Sequence, residues 1–331
     1  MSKPAPLIVL AGGSGFVGRH LASRLAAHGY RIRILTRDCA RARDLRVLPT
    51  LEILAHPAIY EPDATLRAVQ GAHLLINLVG ALHEARGPTR KFEWTHVGIT
   101  RNLVEAAERA GVRHYLHVSA LGTAAAQPRS RYLMSKARAE ACVRSSSLDW
   151  ALVRPSVIYG PDDDFLMRFA TLLRLAPGLF PLTCPESRLA PVDIEDVVEA
   201  LSVLIREPAL DRRTYDLEGP ESRTLLEIVR AIADLLGVRC RIVGLSDGMS
   251  WLMGAVLERL PHPPFTRDNY WTLKAEESVG QGELEAARCG FERLGIEPQP
   301  FLDRAAVYLR RFHPAGPGPL SPKIPRVTGS A

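Results

Sequence analysis

Short apolar runs alternate with helix-period stretches through the first half of the chain. Leu7–Leu10 is apolar throughout, Gly18–His28 repeats at helical spacing, and Arg31–Leu35 alternates as a strand does. Leu51–Leu54, Leu74–Val79, Tyr115–Val118 and Trp150–Val153 read as further strands. Thr65–Val69, Gly98–Arg109 and Lys136–Arg144 read as the helices between them. Strand–helix alternation with short links predicts βαβ units, hence an α/β fold with a doubly wound parallel sheet of the Rossmann kind. Beyond Gly160 the rhythm loosens. Pro, Gly and Leu dominate residues 172–191, followed by a helix over Ile194–Ile205, a strand near Thr214–Leu217 and a helix over Leu225–Leu236. This half predicts a smaller, mixed C-terminal lobe packed on the sheet. Met249, Leu252, Met253, Val256, Leu257 and Leu260 form one apolar stripe before Pro261. Its plainest reading is a face turned to the core; a lid, a partner-binding face or a membrane-surface contact is the alternative.

Composition narrows the class without changing that picture. Of 331 residues, 47% are hydrophobic and 24% charged, the values of a globular chain. No apolar run reaches the length of a spanning helix. Of the 42 basic residues only five are Lys, and the net charge is +6. The basic residues are scattered and not gathered in a stripe, which argues against nucleic acid as a partner. Five widely spaced Cys contain no C-x-x-C pair, predicting free thiols, no zinc and a cytoplasmic setting. The last 18 residues, rich in Pro, Gly and Ser, are expected to form a flexible tail.

The chemistry begins at Gly12-Gly13-Ser14-Gly15-Phe16-Val17-Gly18, between the first strand and the first helix. Glycines let backbone N–H groups close on a pyrophosphate, and the helix N-terminus adds partial positive charge. A Lys-Ser/Thr pair after the loop, which a P-loop needs, is missing. At the end of the second strand an acid would favour the ribose hydroxyl of NAD, and a base the 2′-phosphate of NADP. Here Thr36 stands at the acid's place and Arg37 follows, with Arg19 close to the loop, so NADP(H) is favoured; Asp38 leaves NAD(H) possible. Residues 1–160 are therefore expected to be mainly a NAD(P)-binding domain and 161–313 mainly the second lobe, some of its segments returning to the sheet.

A second signal is Tyr132-Leu133-Met134-Ser135-Lys136, which puts Tyr132 and Lys136 on one helical face. A lysine ammonium beside a phenol favours the phenolate and suits the tyrosine to acid–base work. A half-buried Tyr next to a solvated Lys is the bland alternative.

Together with Asn77-Leu78-Val79-Gly80, His117-Val118-Ser119-Ala120, Arg154-Pro155-Ser156-Val157-Ile158-Tyr159-Gly160-Pro161 and Pro191–Val197, these motifs resemble the extended or atypical short-chain dehydrogenase/reductase superfamily. The resemblance covers roughly residues 5 to 235. It is nearest to the NAD(P)H-binding accessory subunit of respiratory complex I and its bacterial relatives, a group that also includes proteins linked to quinone metabolism. It implies cofactor contacts from Gly12–Gly18, Arg19, Arg37, Val79, Gly80, Tyr132, Lys136 and Pro155. It also implies Tyr132, Lys136 and Ser119 as catalytic residues. Active members usually carry two adjacent hydroxyl residues after the fifth strand; here Ser119 is followed by Ala120, and the second hydroxyl is gone. The acid often found after the third strand is replaced near His56-Pro57. Three roles follow: a structural nucleotide-binding protein of a respiratory or quinone-linked assembly, peripheral on the inner face of a membrane; an active NAD(P)-dependent reductase or epimerase on a lipophilic small molecule; or a redox sensor. For an enzyme, Leu166, Phe169, Phe180 and the 249–260 stripe are the expected apolar wall of the substrate cleft.

Overall fold

The computed structural model describes residues 5–55, 61–81, 84, 91–125, 129–176, 178–260, 263–279 and 290–312. His56-Pro57 and the expected tail, residues 314–331, lie outside them. Seven strands form one parallel sheet: β1 (Leu7–Ala11), β2 (Arg31–Thr36), β3 (Leu51–Ala55), β4 (Leu74–Asn77), β5 (His114–Val118), β6 (Asp149–Pro155) and β11 (Arg213–Leu217). Their spatial order is β11-β6-β5-β4-β1-β2-β3. The order reverses between β1 and β4, and a crevice opens there at the carboxyl ends of the strands. β1 is buried at all five positions and β4 at all four, as central strands covered on both faces must be.

One face carries α1 (Phe16–Ala27) and α6 (Ile194–Arg206), packed on Ile8, Leu10, Ile32, Ile34 and Leu116. The other carries α2 (Pro62–Val69), α3 (Ile99–Ala110) and α4 (Arg131–Arg144), with Val9, Leu75, Tyr115, Trp150 and Leu152 beneath. The prediction for Leu74–Val79 runs two residues too far: the strand ends at Asn77, whose Oδ1 accepts the Val79 N–H at 3.0 Å and turns the chain out of the sheet.

The second lobe has its own core around α5 (Leu166–Leu175), α7 (Leu225–Leu236) and α10 (Phe301–Leu309). Three two-stranded ladders accompany it: β7 (Ile158–Tyr159) with β10 (Val192–Asp193), β8 (Gly178–Leu182) with β13 (Cys240–Gly244), and β9 (Arg188–Leu189) with β12 (Arg223–Thr224). Thr224 starts α7 with a complete capping box to Glu227. β11 extends the main sheet beside β6, from Arg213 against Ala151 to Leu217 against Pro155.

Two expectations for this lobe are corrected. Leu166 is sealed in the lobe's core and so lines no cleft, while Phe169 and Phe180 pack half-buried against that core. The apolar stripe does not face the core. It lies on α8 (Asp247–Leu257) and its continuation, where Met249, Leu252, Val256 and Leu260 are each 50–55% exposed. The buried face of α8 is small, consisting of Ser250 and Gly254, because α9 (Arg267–Val279) approaches so closely there: a Cβ on Gly254 would stand 3.0 Å from the Arg267 nitrogen.

Candidate dinucleotide and active site

The glycine loop has the geometry of an anion cradle. Gly12 has φ +80°, and a Cβ there would come within 3.0 Å of the Leu78 carbonyl carbon and the Val79 nitrogen. Gly18 lets α1 sit on the loop, since a Cβ would lie 2.5 Å from the Gly13 Cα. The Gly15 N–H closes the turn onto the Gly12 carbonyl at 3.0 Å. Gly15 is the N-cap of α1 and brings no side-chain oxygen, and the first turn holds no acid. The leading N–H groups of Phe16, Val17 and Gly18, which have no intrahelical acceptor, are left for an anionic ligand. Ser14 anchors the loop through its hydroxyl to Thr36 Oγ1 at the end of β2, 2.9 Å away.

The residues around the end of β2 divide into engaged and exposed. Asp38 Oδ1 accepts the Ala40 N–H at 2.9 Å and caps the 3₁₀ run Cys39–Val47. Arg19 does not point outward for a phosphate: it pairs with Asp44, donates to the Arg41 carbonyl, and its Nε donates to the Ser14 carbonyl at 3.1 Å. Arg37 is exposed beside these groups, as are Arg41 and Arg43.

On the other side of the crevice, α4 brings Lys136 over the ends of β4 and β5. The Lys136 ammonium is buried and donates to the Val79 carbonyl at 3.1 Å and the Val118 carbonyl at 2.9 Å. Burial pulls it down to about 8, with Glu140 opposing that fall. Gly80 lies alongside; a Cβ there would stand 3.8 Å from Nζ. Tyr132 rests edge-on against Phe92 and His96, with ring centroids 5.7 and 5.4 Å apart. Its phenol is pushed upward, first by burial and then by the Glu276 and Asp268 carboxylates. The expected drift toward phenolate is therefore not what its surroundings impose, since they hold the proton on.

Ser119 is buried with its hydroxyl beside Glu140 but without good hydrogen-bond geometry. Glu140 itself is held bidentately by Arg154, at 2.8 and 2.6 Å, and accepts from Thr123 Oγ1 at 2.8 Å. Arg154 and Thr123 keep its carboxyl down to about 2 despite burial. Pro155 ends β6 opposite Leu217. Gly12–Gly18, Val79, Gly80, Lys136 and Pro155 thus surround one crevice, while Ser119 belongs to a salt-bridged network behind it.

Three groups at this site escaped the sequence reading. His96 sits in a π-helical run, Glu93–Gly98, a geometry frequent at functional sites. Its Nε2 accepts the Ala81 N–H at 3.2 Å, so Nδ1 carries the proton and donates to Ser135 Oγ at 2.7 Å. Ser135 in turn donates to the Tyr132 carbonyl at 2.7 Å. Burial, then Lys136 and His117, bring His96 down to about 2, fixing it neutral. Asp268 of α9 caps α4 by accepting from Ser130 Oγ and from the Arg131 and Tyr132 N–H groups. Glu276, two turns further along α9, accepts from Ser156 Oγ at 2.5 Å. None had a local signal, because each depends on which elements meet. A cavity of about 480 Å³ lies against α4, lined by Glu84, Lys91, Phe92, Met134, Ser135 and Arg138. Among the described residues no cluster could hold a metal ion.

Residues 12–165 match a family model described as NAD(P)H-binding. A ceramide reductase from Caulobacter vibrioides is 32% identical over 256 residues, which cover 76% of this chain and 77% of that one. The chain belongs to the extended, atypical short-chain dehydrogenase/reductases. Mitochondrial NADH dehydrogenase [ubiquinone] 1 alpha subcomplex subunit 9 of Mus musculus is 29% identical over 305 residues, 91% of this chain and 78% of that one. The fold matches that of a dTDP-glucose 4,6-dehydratase from Streptomyces venezuelae solved with NAD, at TM-score 0.68, 22% identity and coverage of 92% and 96%. As a dehydrogenase-fold protein of this branch, the chain binds a nicotinamide dinucleotide.

Proposed function

We propose that this short-chain dehydrogenase/reductase uses NADP(H) to reduce a carbonyl group of a lipophilic small molecule. The observation that carries the reading is the Lys136 ammonium on the Val79 and Val118 carbonyls, one turn along α4 from Tyr132, whose phenol its surroundings hold in the proton-bearing form. A phenol that keeps its proton suits donation to a carbonyl oxygen, hence reduction and not oxidation. A bound dinucleotide supplies the hydride. Lys136 holds positive charge against the Val79 and Val118 carbonyls, where the nicotinamide ribose would rest. The Asp268 cap fixes the first turn of α4 and therefore the Tyr132 backbone. The ceramide reductase relative supports a lipophilic substrate.

Preference for NADP(H) rests on Arg37 being exposed while Thr36 and Asp38 are used within the protein. Arg37→Ala is expected to weaken NADPH binding roughly tenfold and leave NADH binding unchanged; equal losses for both would refute this assignment. For the reaction, nicotinamide absorbance is followed with lipophilic ketones and quinones. Tyr132→Phe should lower turnover by at least about a hundredfold with dinucleotide affinity intact. Unchanged turnover in that variant would remove Tyr132 from the chemistry.

A second reading is favoured by Ala120, which lacks the hydroxyl that would polarise a carbonyl. Here the dinucleotide is structural and the protein serves a respiratory or quinone-linked assembly, as the relationship to the NADH dehydrogenase subunit suggests. In either reading the exposed α8 stripe fits a peripheral site on the inner face of a membrane; among the described residues no helix is long and apolar enough to cross one. Retention of tightly bound dinucleotide without turnover on any carbonyl tested would favour the structural role.

A further inference from the structure

Helix α9 lays a polar face along the crevice: Asp268, Thr272 and Glu276 recur every four residues. The first two hold α4, through Asp268 to Ser130, Arg131 and Tyr132 and through Thr272 to Ser130 Oγ at 2.8 Å. The third has no such partner on α4. Its carboxyl reaches the carboxyl end of β6, where Ser156 Oγ and the Val157 backbone bond to it. The glycine loop fixes the pyrophosphate at β1, and the adenosine half runs toward β2, so the nicotinamide half runs toward β4, β5 and β6. Glu276 therefore stands on the nicotinamide side.

We propose that Glu276 is the proton-exchanging group that sets which redox state of the dinucleotide this site prefers. Ionised, it attracts the cationic oxidised ring; protonated, it accommodates the neutral reduced ring, so binding the reduced form draws a proton onto the carboxyl. Burial, and then Glu218, lift the carboxyl to about 7 against the pull of Ser156 and Val157, which puts the exchange in the neutral range. The charged and titratable groups that act on it or on which it acts are Glu218 after β11 and Tyr132 on α4, whose phenol also feels Asp268 of the same helix as Glu276. Lys136 also loses charge near this range, and comparison with a variant that retains it separates the two.

This rests on the crevice placement of the dinucleotide, and the test keeps the two apart. Dissociation constants for NADP⁺ and NADPH are measured by calorimetry and fluorescence between pH 5.5 and 8.5. Their ratio cancels the titration of the shared 2′-phosphate. In the wild-type protein the ratio should move roughly tenfold toward NADP⁺ as pH rises through about 7, the size expected for unit charges ~10 Å apart at intermediate dielectric. In Glu276→Gln the step centred near pH 7 should be lost, leaving only the drift that Lys136 adds as it loses charge toward pH 8.5. Ser156→Ala removes a donor to the carboxylate and should move the midpoint upward. The same slope in wild type and Glu276→Gln, or an unmoved midpoint in Ser156→Ala should the first variant not fold, overturns the proposal. Loss of binding of both forms in wild type would instead overturn the crevice placement.

Discussion

At the scale of single residues, the buried Glu140–Arg154 pair shows how much rests behind the reactive groups. Two hydrogen bonds from the guanidinium and one from Thr123 satisfy a carboxylate that is only 4% exposed. Arg154→Met would leave that charge with only the longer Arg144 ion pair, at 3.4 Å, and is expected to cost about 3 kcal/mol in urea unfolding at pH 7. A loss below about 1 kcal/mol would mean that the network relaxes around the vacancy. Sequence reasoning found Gly12–Gly18, Tyr132 and Lys136 because each is a local string with a fixed spacing. It missed His96, Asp268 and Glu276 because their roles are created by contacts across 39 to 138 residues of chain and leave no nearby pattern. It placed Arg19 near a phosphate, whereas Asp44, brought in by the 3₁₀ run after β2, claims its guanidinium.

Among elements, α8 and α9 are the instructive pair. Helical periodicity correctly located α8 but could not say which face is covered; an apolar stripe has the same spacing whether it meets a core or a membrane. Here Gly254 and Ser250 face inward and the stripe outward. Substituting Glu for both Leu252 and Val256 is therefore expected to change stability by no more than about 0.5 kcal/mol per site, while abolishing sedimentation with anionic lipid vesicles. If the double variant unfolded, the stripe would belong to the fold; if it still bound vesicles, the membrane contact would lie elsewhere. α9 acts in the opposite sense, as a clamp. Asp268→Ala leaves the Ser130 cap but strips the acceptor from the Arg131 and Tyr132 N–H groups, and should cost about 1 kcal/mol in urea unfolding.

For the molecule as a whole, the buried titratable groups divide into two sets that act against each other. His96 and His117 are lowered to about 2 and about 3, chiefly by burial. Below pH ~6.5 the unfolded chain takes up protons that these rings refuse, and stability falls as pH falls. Glu276 and Asp163 are raised, to about 7 and about 6, by burial. They bind protons in the folded state first, so they add stability as pH falls from those values toward their ordinary range. Glu140 is depressed to about 2, and its contribution, present above ~4.5, is lost on further acidification. Denaturant midpoints should accordingly stay nearly level between about pH 5 and 7 and drop steeply below about 4.5. A steady decline from pH 7 would mean that the two raised carboxylates do not offset the histidines. The parallel sheet and its crevice were legible in the alternation of apolar runs, since strands buried on both faces leave unbroken hydrophobic strings. The boundary between the halves was only partly legible, because β11 is a five-residue strand whose place beside β6 is decided by tertiary pairing. That strand makes the two halves inseparable: a chain ended at residue 160 would present β6 as a raw hydrogen-bonding edge, open to another copy, and should self-associate more than the intact protein, in which β11 covers that edge.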